Sequence, residues 1–209
     1  MSQMHMSAFE GDANIVRGRI ELGEDPNSTD EDGRTPLHWA AAGGHDALVE
    51  YLAELPGAVI DSRDESGLTP LMSAVAANKL AVAASLLGRV IASWAAESKS
   101  MLAAARTRRR MPSLSSPLVD FFHLGVVTHA DERGNTPLHR CICGESEDHL
   151  GALELILEAG GRPNTGDRSG NTPLHRATEE GLETLARRLI DAGADPSREN
   201  GAGVKAGGG

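Results

Sequence analysis

Aromatic residues make up 3% of this 209-residue chain. That is too few for the centre of a large globular domain, and it suits thin helix pairs built on alanine and leucine. Cysteine is scarcer still. Cys141 and Cys143 are the two present, which excludes a disulfide framework and fits a reducing cytoplasm or nucleus. Residues 1–13 lack a basic stretch followed by an apolar run, so no secretory signal is read there. Long hydrophobic runs are missing as well. The nearest, Leu80 to Ala96, carries Arg89 and is rich in Ala and Ser, and we read it as a packed helix rather than a membrane span. Positive charge is in deficit: 20 Lys and Arg against 30 Asp and Glu leave a net charge of −10. A nonspecific grip on nucleic acid needs a basic footprint and is excluded; a basic or mixed-charge protein surface is the expected partner.

Catalytic signatures are also absent. No serine lies in Gly-x-Ser-x-Gly. The glycines at Gly201, Gly203 and Gly207 to Gly209 are not followed by the Lys-Ser or Lys-Thr of a phosphate loop. His139, Cys141 and Cys143 stand near Glu145, Glu147, Asp148 and His149, yet on a helix only His139 and Cys143 share a face, and no Cys-x-x-Cys occurs. No catalytic residue, metal site or cofactor is therefore expected. Arg106, Arg108, Arg109 and Arg110 form a basic cluster ahead of Ser113. It suits an import signal or a kinase site, but a solvated loop is the simpler reading.

What is present is a repeat. Thr-Pro-Leu-His stands at Thr35, Thr136 and Thr172, with Thr-Pro-Leu-Met at Thr69, so the threonines fall at intervals of 34, 67 and 36 residues. Each letter has a physical role. Thr caps a helix, Pro fills its first position where a missing N–H costs nothing, and Leu turns inward. The recurring His, with a nitrogen on either side of its ring, reads as a bond between neighbouring loops. Gly44, Asn78 and Gly181 supply left-handed helix stops. Second helices follow, with apolar residues such as Leu48, Val49, Tyr51 and Leu52, or Leu185, Leu189 and Ile190, spaced to bury one face. Loops of the form Asp-x-x-Gly at Asp30, Asp64, Asp131 and Asp167 place a turn glycine two residues before each threonine.

The interval of 67 is close to two periods of about 33, which predicts a degenerate unit between Thr69 and Thr136. Leu102 to Ala105 stand where its signature would be, and Leu118 to Gly125 fit its second helix. Lacking a cap, it is expected to be the least stable unit. Met4 to Leu22 read as a terminal helix pair without the signature.

On these motifs the chain resembles the ankyrin-repeat family. The resemblance implies an all-α repeat solenoid, helix-turn-helix pairs with β-hairpin-like fingers, of about six units. These divide as an N-terminal cap 1–34, repeats 35–68, 69–101, 102–135 (degenerate), 136–171 and 172–203, and a flexible tail 204–209. Within the family, Arg34-Thr35, Leu37 to Ala40, Gly44-His45, Val49 to Leu52, His139-Arg140, Gly170 to His175 and Glu199-Asn200 resemble the proteasome regulatory-particle assembly chaperones of the gankyrin type.

That likeness implies a cytoplasmic or nuclear monomer that holds the C-terminal domain of a proteasomal ATPase subunit along a concave face; a general ankyrin adaptor in signalling or transcription is the alternative. It also places Arg34 at a charged partner contact. The residues after each signature position, Trp39, Ser73, Arg140 and Arg176, project toward that face, joined by Glu179 and Glu180. Trp39 has two readings, a partner anchor or packing between repeats. Asp30, Glu31, Asp32, Asp64, Glu65, Asp131 and Glu132 are expected to line one edge and steer a basic partner, although turns favour Asp in any case.

Overall fold

The computed structural model describes residues 2–89, 127–142 and 149–208. Helices α1 (Gln3–Glu10) and α2 (Ala13–Glu21) form a first pair, and α3 (Pro36–Gly43) and α4 (Asp46–Glu54) a second. Next come α5 (Pro70–Ala76) and a helical run 80–89. After residues 90–126 come α6 (Pro137–Arg140), α7 (Leu150–Glu158), α8 (Pro173–Glu179) and α9 (Glu183–Asp191). First helices pack on first helices: α1 on α3, α3 on α5, α5 on α6 and α6 on α8.

The signature builds each first helix as its letters dictate. Leu37, Leu71, Leu138 and Leu174 are all buried, with Met4 in the same column. Burying one such side chain fully contributes about 2 kcal/mol. Second helices close the core with Leu48, Val49 and Leu52, with Val82 and Leu86, with Leu153 and Ile156, and with Leu185 and Leu189. Ile190, expected in that stripe, is exposed instead, because the turn of α9 carries it past Leu189 to the outer side. Gly44, Asn78 and Gly181 take φ of 84°, 53° and 72°, the left-handed stops that end the first helices.

Each finger is a turn closed on its aspartate: Asp30 N–H donates to the Arg34 carbonyl at 3.0 Å and Gly33 N–H to the Asp30 carbonyl at 3.1 Å, and the same pair recurs at Asp64, Asp131 and Asp167. Among the described residues the fingers carry no strand pairing beyond one bridge, Glu199 to Lys205. Consecutive fingers are joined at their tips, Glu65 N–H to the Asp32 carbonyl, Glu132 N–H to that of Ser66, and Arg168 N–H to that of Arg133, at 2.9, 2.9 and 3.0 Å. The turn glycine is required twice over. At Gly134 φ is 83°, and a Cβ would lie 2.7 Å from the Arg168 backbone nitrogen.

Among the described residues the predicted unit 102–135 is represented by its finger. The finger at Asp64 bonds directly to the finger at Asp131, and α5 packs on α6. Finger 131–135 thus packs with the pair that follows it. The expected helices at Leu102 to Ala105 and Leu118 to Gly125, like the Arg106 to Arg110 cluster and the end of the apolar run Leu80 to Ala96, lie outside the described residues. Among those described, no helix is long and apolar enough to cross a membrane.

Both ends also differ from expectation. At the start, Ser2 and His5 take the places of Thr and His, the hydroxyl meeting the ring Nδ1 at 2.6 Å, so the first pair carries a disguised signature. At the finish, residues 200–206 form a fifth finger rather than a flexible tail. Asn200 replaces the aspartate, its side-chain oxygen accepting from Ala202 and Val204 N–H, each at 3.0 Å. Gly201 N–H joins it to the Ser169 carbonyl, and Ala206 is fully buried. Glycine here serves the turn and the close approach, not disorder.

Candidate partner-binding face

The fingers and first helices share one face, and the signature histidines fasten it. Thr35, Thr136 and Thr172 each donate their backbone N–H to the Nδ1 of the histidine three residues on, at 3.1 Å in every case. With Nδ1 accepting, Nε2 carries the hydrogen and donates to a carbonyl of the next finger: Leu68 at 3.0 Å, Asn171 at 2.9 Å and Val204 at 3.0 Å. His5 Nε2 reaches the Ser28 carbonyl, just ahead of the first finger, at 3.0 Å. Burial outweighs the surrounding hydrogen bonds and charges on His38 and His139, lowering both and holding His139 at about 4. His38 and His139 are therefore neutral spacers at neutral pH. Cys141, a metal ligand by residue type, is buried in the core beneath α6.

The finger aspartates are equally committed. One oxygen of each accepts two backbone N–H groups of its own turn, Ser66 and Leu68 for Asp64 at 2.9 and 2.8 Å, for example. The other oxygen takes a side chain. Asp30 accepts from Trp39 Nε1 at 2.8 Å, Asp131 from Asn135 and Arg140, and Asp167 from Arg176 at 2.9 Å. In all three a donor stands nine residues on, directly after the signature histidine. In the remaining finger that position is Ser73, which turns back to the Thr69 carbonyl. Asp64 is served instead by Arg34 of the preceding finger, at 3.1 Å. Burial works upward on Asp30, Asp131 and Asp167, but the hydrogen bonds and nearby charge hold all three below the ordinary carboxylate value.

The residues expected at a partner contact therefore divide. Asp64 and Asp131 are buried and Asp30 half-buried, each holding its own finger. Arg34, Arg140 and Arg176 are half-buried ion partners of the finger carboxylates. Trp39 is half-buried, edge-on to Phe9 at 5.7 Å between centroids, with the Arg34 guanidinium 5.2 Å over its ring. Exposed on the face are Glu31, Asp32, Glu65 and Glu132 at the fingertips, and Glu179 and Glu180 at the end of α8.

Two exposed residues escaped the sequence reading, Met6 and Phe9 on α1. Aligning Ser2 to His5 with Thr35 to His38 puts Met6 in the column of Trp39, Arg140 and Arg176, and that register was the missing signal.

Comparison with known proteins agrees with this architecture. A family model described as ankyrin repeats, in three copies, matches residues 4–93 and 101–200. Rabankyrin-5 of Mus musculus is 28% identical over 192 residues, covering 91% of this chain and 13% of that protein. An ankyrin repeat-containing protein of Schizosaccharomyces pombe is 32% identical over 122 residues, 57% of each chain. NF-kappa-B inhibitor zeta of Mus musculus is 31% identical over 205 residues, covering 89% of this chain and 26% of the relative. The chain thus spans less than two thirds of each of these relatives.

Proposed function

The chain belongs to the ankyrin-repeat family, and from that premise we propose that its role is to hold another protein on the face made by its fingers and first helices. Ankyrin repeats are in general interaction modules rather than enzymes. The observation that carries the reading for this face is a constant frame under a changing surface. Histidines, threonines and finger aspartates repeat their bonds from unit to unit, while the column after the histidine runs Met6, Trp39, Ser73, Arg140, Arg176. A frame that consumes its own polar groups, and several residues of that column with them, leaves recognition to the side chains still exposed, Met6 and Phe9 and the acids at the fingertips.

The finer reading is a proteasome assembly chaperone holding the C-terminal domain of an ATPase subunit, as a monomer in the cytoplasm or nucleus. It is supported by the sequence resemblance around Arg34 to Ala40. The alternative, an adaptor in signalling or transcription, is supported by the similarity over 89% of the chain to NF-kappa-B inhibitor zeta.

A photocrosslinking amino acid at Glu65 or Glu132 is expected to trap a bound protein, whereas the same group at Arg187, exposed on α9, is not. Cross-links from Arg187 alone would refute the assignment of the face. For the partner, titration with the C-terminal domain of a proteasomal ATPase is expected to saturate; no binding to folded protein would leave the adaptor reading.

A further inference from the structure

The finger face is not uniform along its length. At its N-terminal end Met6 and Phe9, three residues apart on α1 and so on one side of it, are 46% and 44% exposed, and Phe9 packs on the half-buried Trp39. Trp39 is held before anything binds: Phe9 meets its edge, Arg34 lies over its ring, and its indole N–H is tied to Asp30. An aromatic ring already fixed in place loses little side-chain entropy when a partner covers it. Glu10 on the same helix and Glu31, Asp32 and Glu65 at the first two fingertips are exposed acids at this end of the face. The nearest cation on the face, Arg34, is paired with Asp64, a carboxylate with 1% of its side-chain surface exposed. Past the second finger the tips become mixed in charge: Arg133 stands exposed beside Glu132 at the third, and Arg168 is exposed at the fourth.

We infer that the Met6, Phe9 and Trp39 patch is the anchor site for a basic partner segment, one aromatic or aliphatic side chain flanked by Lys or Arg. This rests on the scaffold reading and sharpens it. The apolar side chain covers the patch, and the flanking cations meet Glu10, Glu31, Asp32 and Glu65. Exposed Arg133 and Arg168 make the third and fourth fingertips less favourable to cations than the first two, so the basic end of the partner lies over the first two fingers. Trp and its apolar neighbours supply affinity, and the carboxylates supply rate and orientation.

The test uses the full chain as bait for a displayed random peptide library, with a recovered sequence resynthesised and titrated. Recovered peptides are expected to carry Lys or Arg around one large apolar residue. Met6→Ala with Phe9→Ala should weaken binding at least about tenfold, with the chain still folded by circular dichroism and with any loss of stability from the Phe9–Trp39 contact read separately from its melting curve. Glu31→Gln, Asp32→Asn and Glu65→Gln together should weaken it and flatten its salt dependence, while Arg133→Ala with Arg168→Ala should not weaken it. Acidic or neutral winners, or binding indifferent to the Met6 and Phe9 changes, overturn the inference. Winners that depend on Arg133 and Arg168 would do so while leaving the scaffold reading intact; no winner dependent on any finger-face residue would sink both.

Discussion

In the two fingers ahead of residues 90–126, the second oxygen of Asp30 takes the Trp39 indole and that of Asp64 takes Arg34 from the preceding finger. In the two fingers after them, Asp131 and Asp167 are each served by the arginine nine residues on, within their own unit. The physical demand is the same in all four, to satisfy a carboxylate that the turn has withdrawn from water. The N-terminal solution serves Asp64 across neighbouring units through Arg34 and Asp30 through an indole N–H that leaves part of the Trp39 ring exposed, whereas Arg176 serves its own Asp167 and also reaches Asn135 of the preceding finger. The C-terminal one commits its column position to a cation that is then unavailable to a partner. A position that looks variable in the alignment of repeats is thus part frame and part surface, and the balance shifts along the array.

The comparison is broken most severely at a histidine, the element both halves share. His139→Ala removes a fully buried ring and leaves the Thr136 N–H and the Asn171 carbonyl unpaired. It is expected to cost about 3 kcal/mol in urea denaturation.

Acid strikes the same bond. The folded value of His139 is depressed from 6.5 to about 4, so the unfolded chain binds its proton first. The ring's contribution is complete above pH 6.5 and is lost as pH falls from there toward 4, by roughly 3 kcal/mol in total. Stability measured between pH 7 and 4 should show that decline, and His139→Ala should flatten it.

The two halves separate at the next level. Arg34→Ala leaves the buried Asp64 carboxylate with its backbone donors alone and is expected to cost about 2 kcal/mol. Arg140→Ala leaves Asp131 still bonded to the Asn135 amide and should cost about half as much. The smallest effect sharpens the contrast. Ser73→Arg puts the C-terminal solution into the N-terminal half, and in the Arg34→Ala background it should restore about 1 kcal/mol. Melting curves of the single and double variants form the required cycle.

Much of this was legible in the letters. Thr-Pro-Leu-His, the left-handed stops and the Asp-x-x-Gly turns each name a local geometry, and local geometry is what sequence specifies most directly. The direct junction of the second and third fingers was not legible because periodicity counts residues and not distance, and the Glu132 to Ser66 bond that makes it is long-range. Ser2 to His5 hid because Gln and Met replace Pro and Leu, although the hydroxyl and ring nitrogen that make the bonds are retained. At the face, the acidic turns were visible, but which carboxylate points inward depends on donors nine or thirty residues away.

The junction between the second and third fingers has a kinetic meaning. The other fingertip bonds join segments about one period apart, whereas Ser66 and Glu132 close a loop roughly twice as long, which adds only about 0.6 kcal/mol of closure entropy. The stack can therefore carry this longer connection at little thermodynamic penalty. Its mark should fall on the order of events: each half has its own near-neighbour contacts on which to nucleate, and their docking across this junction is the step of highest contact order.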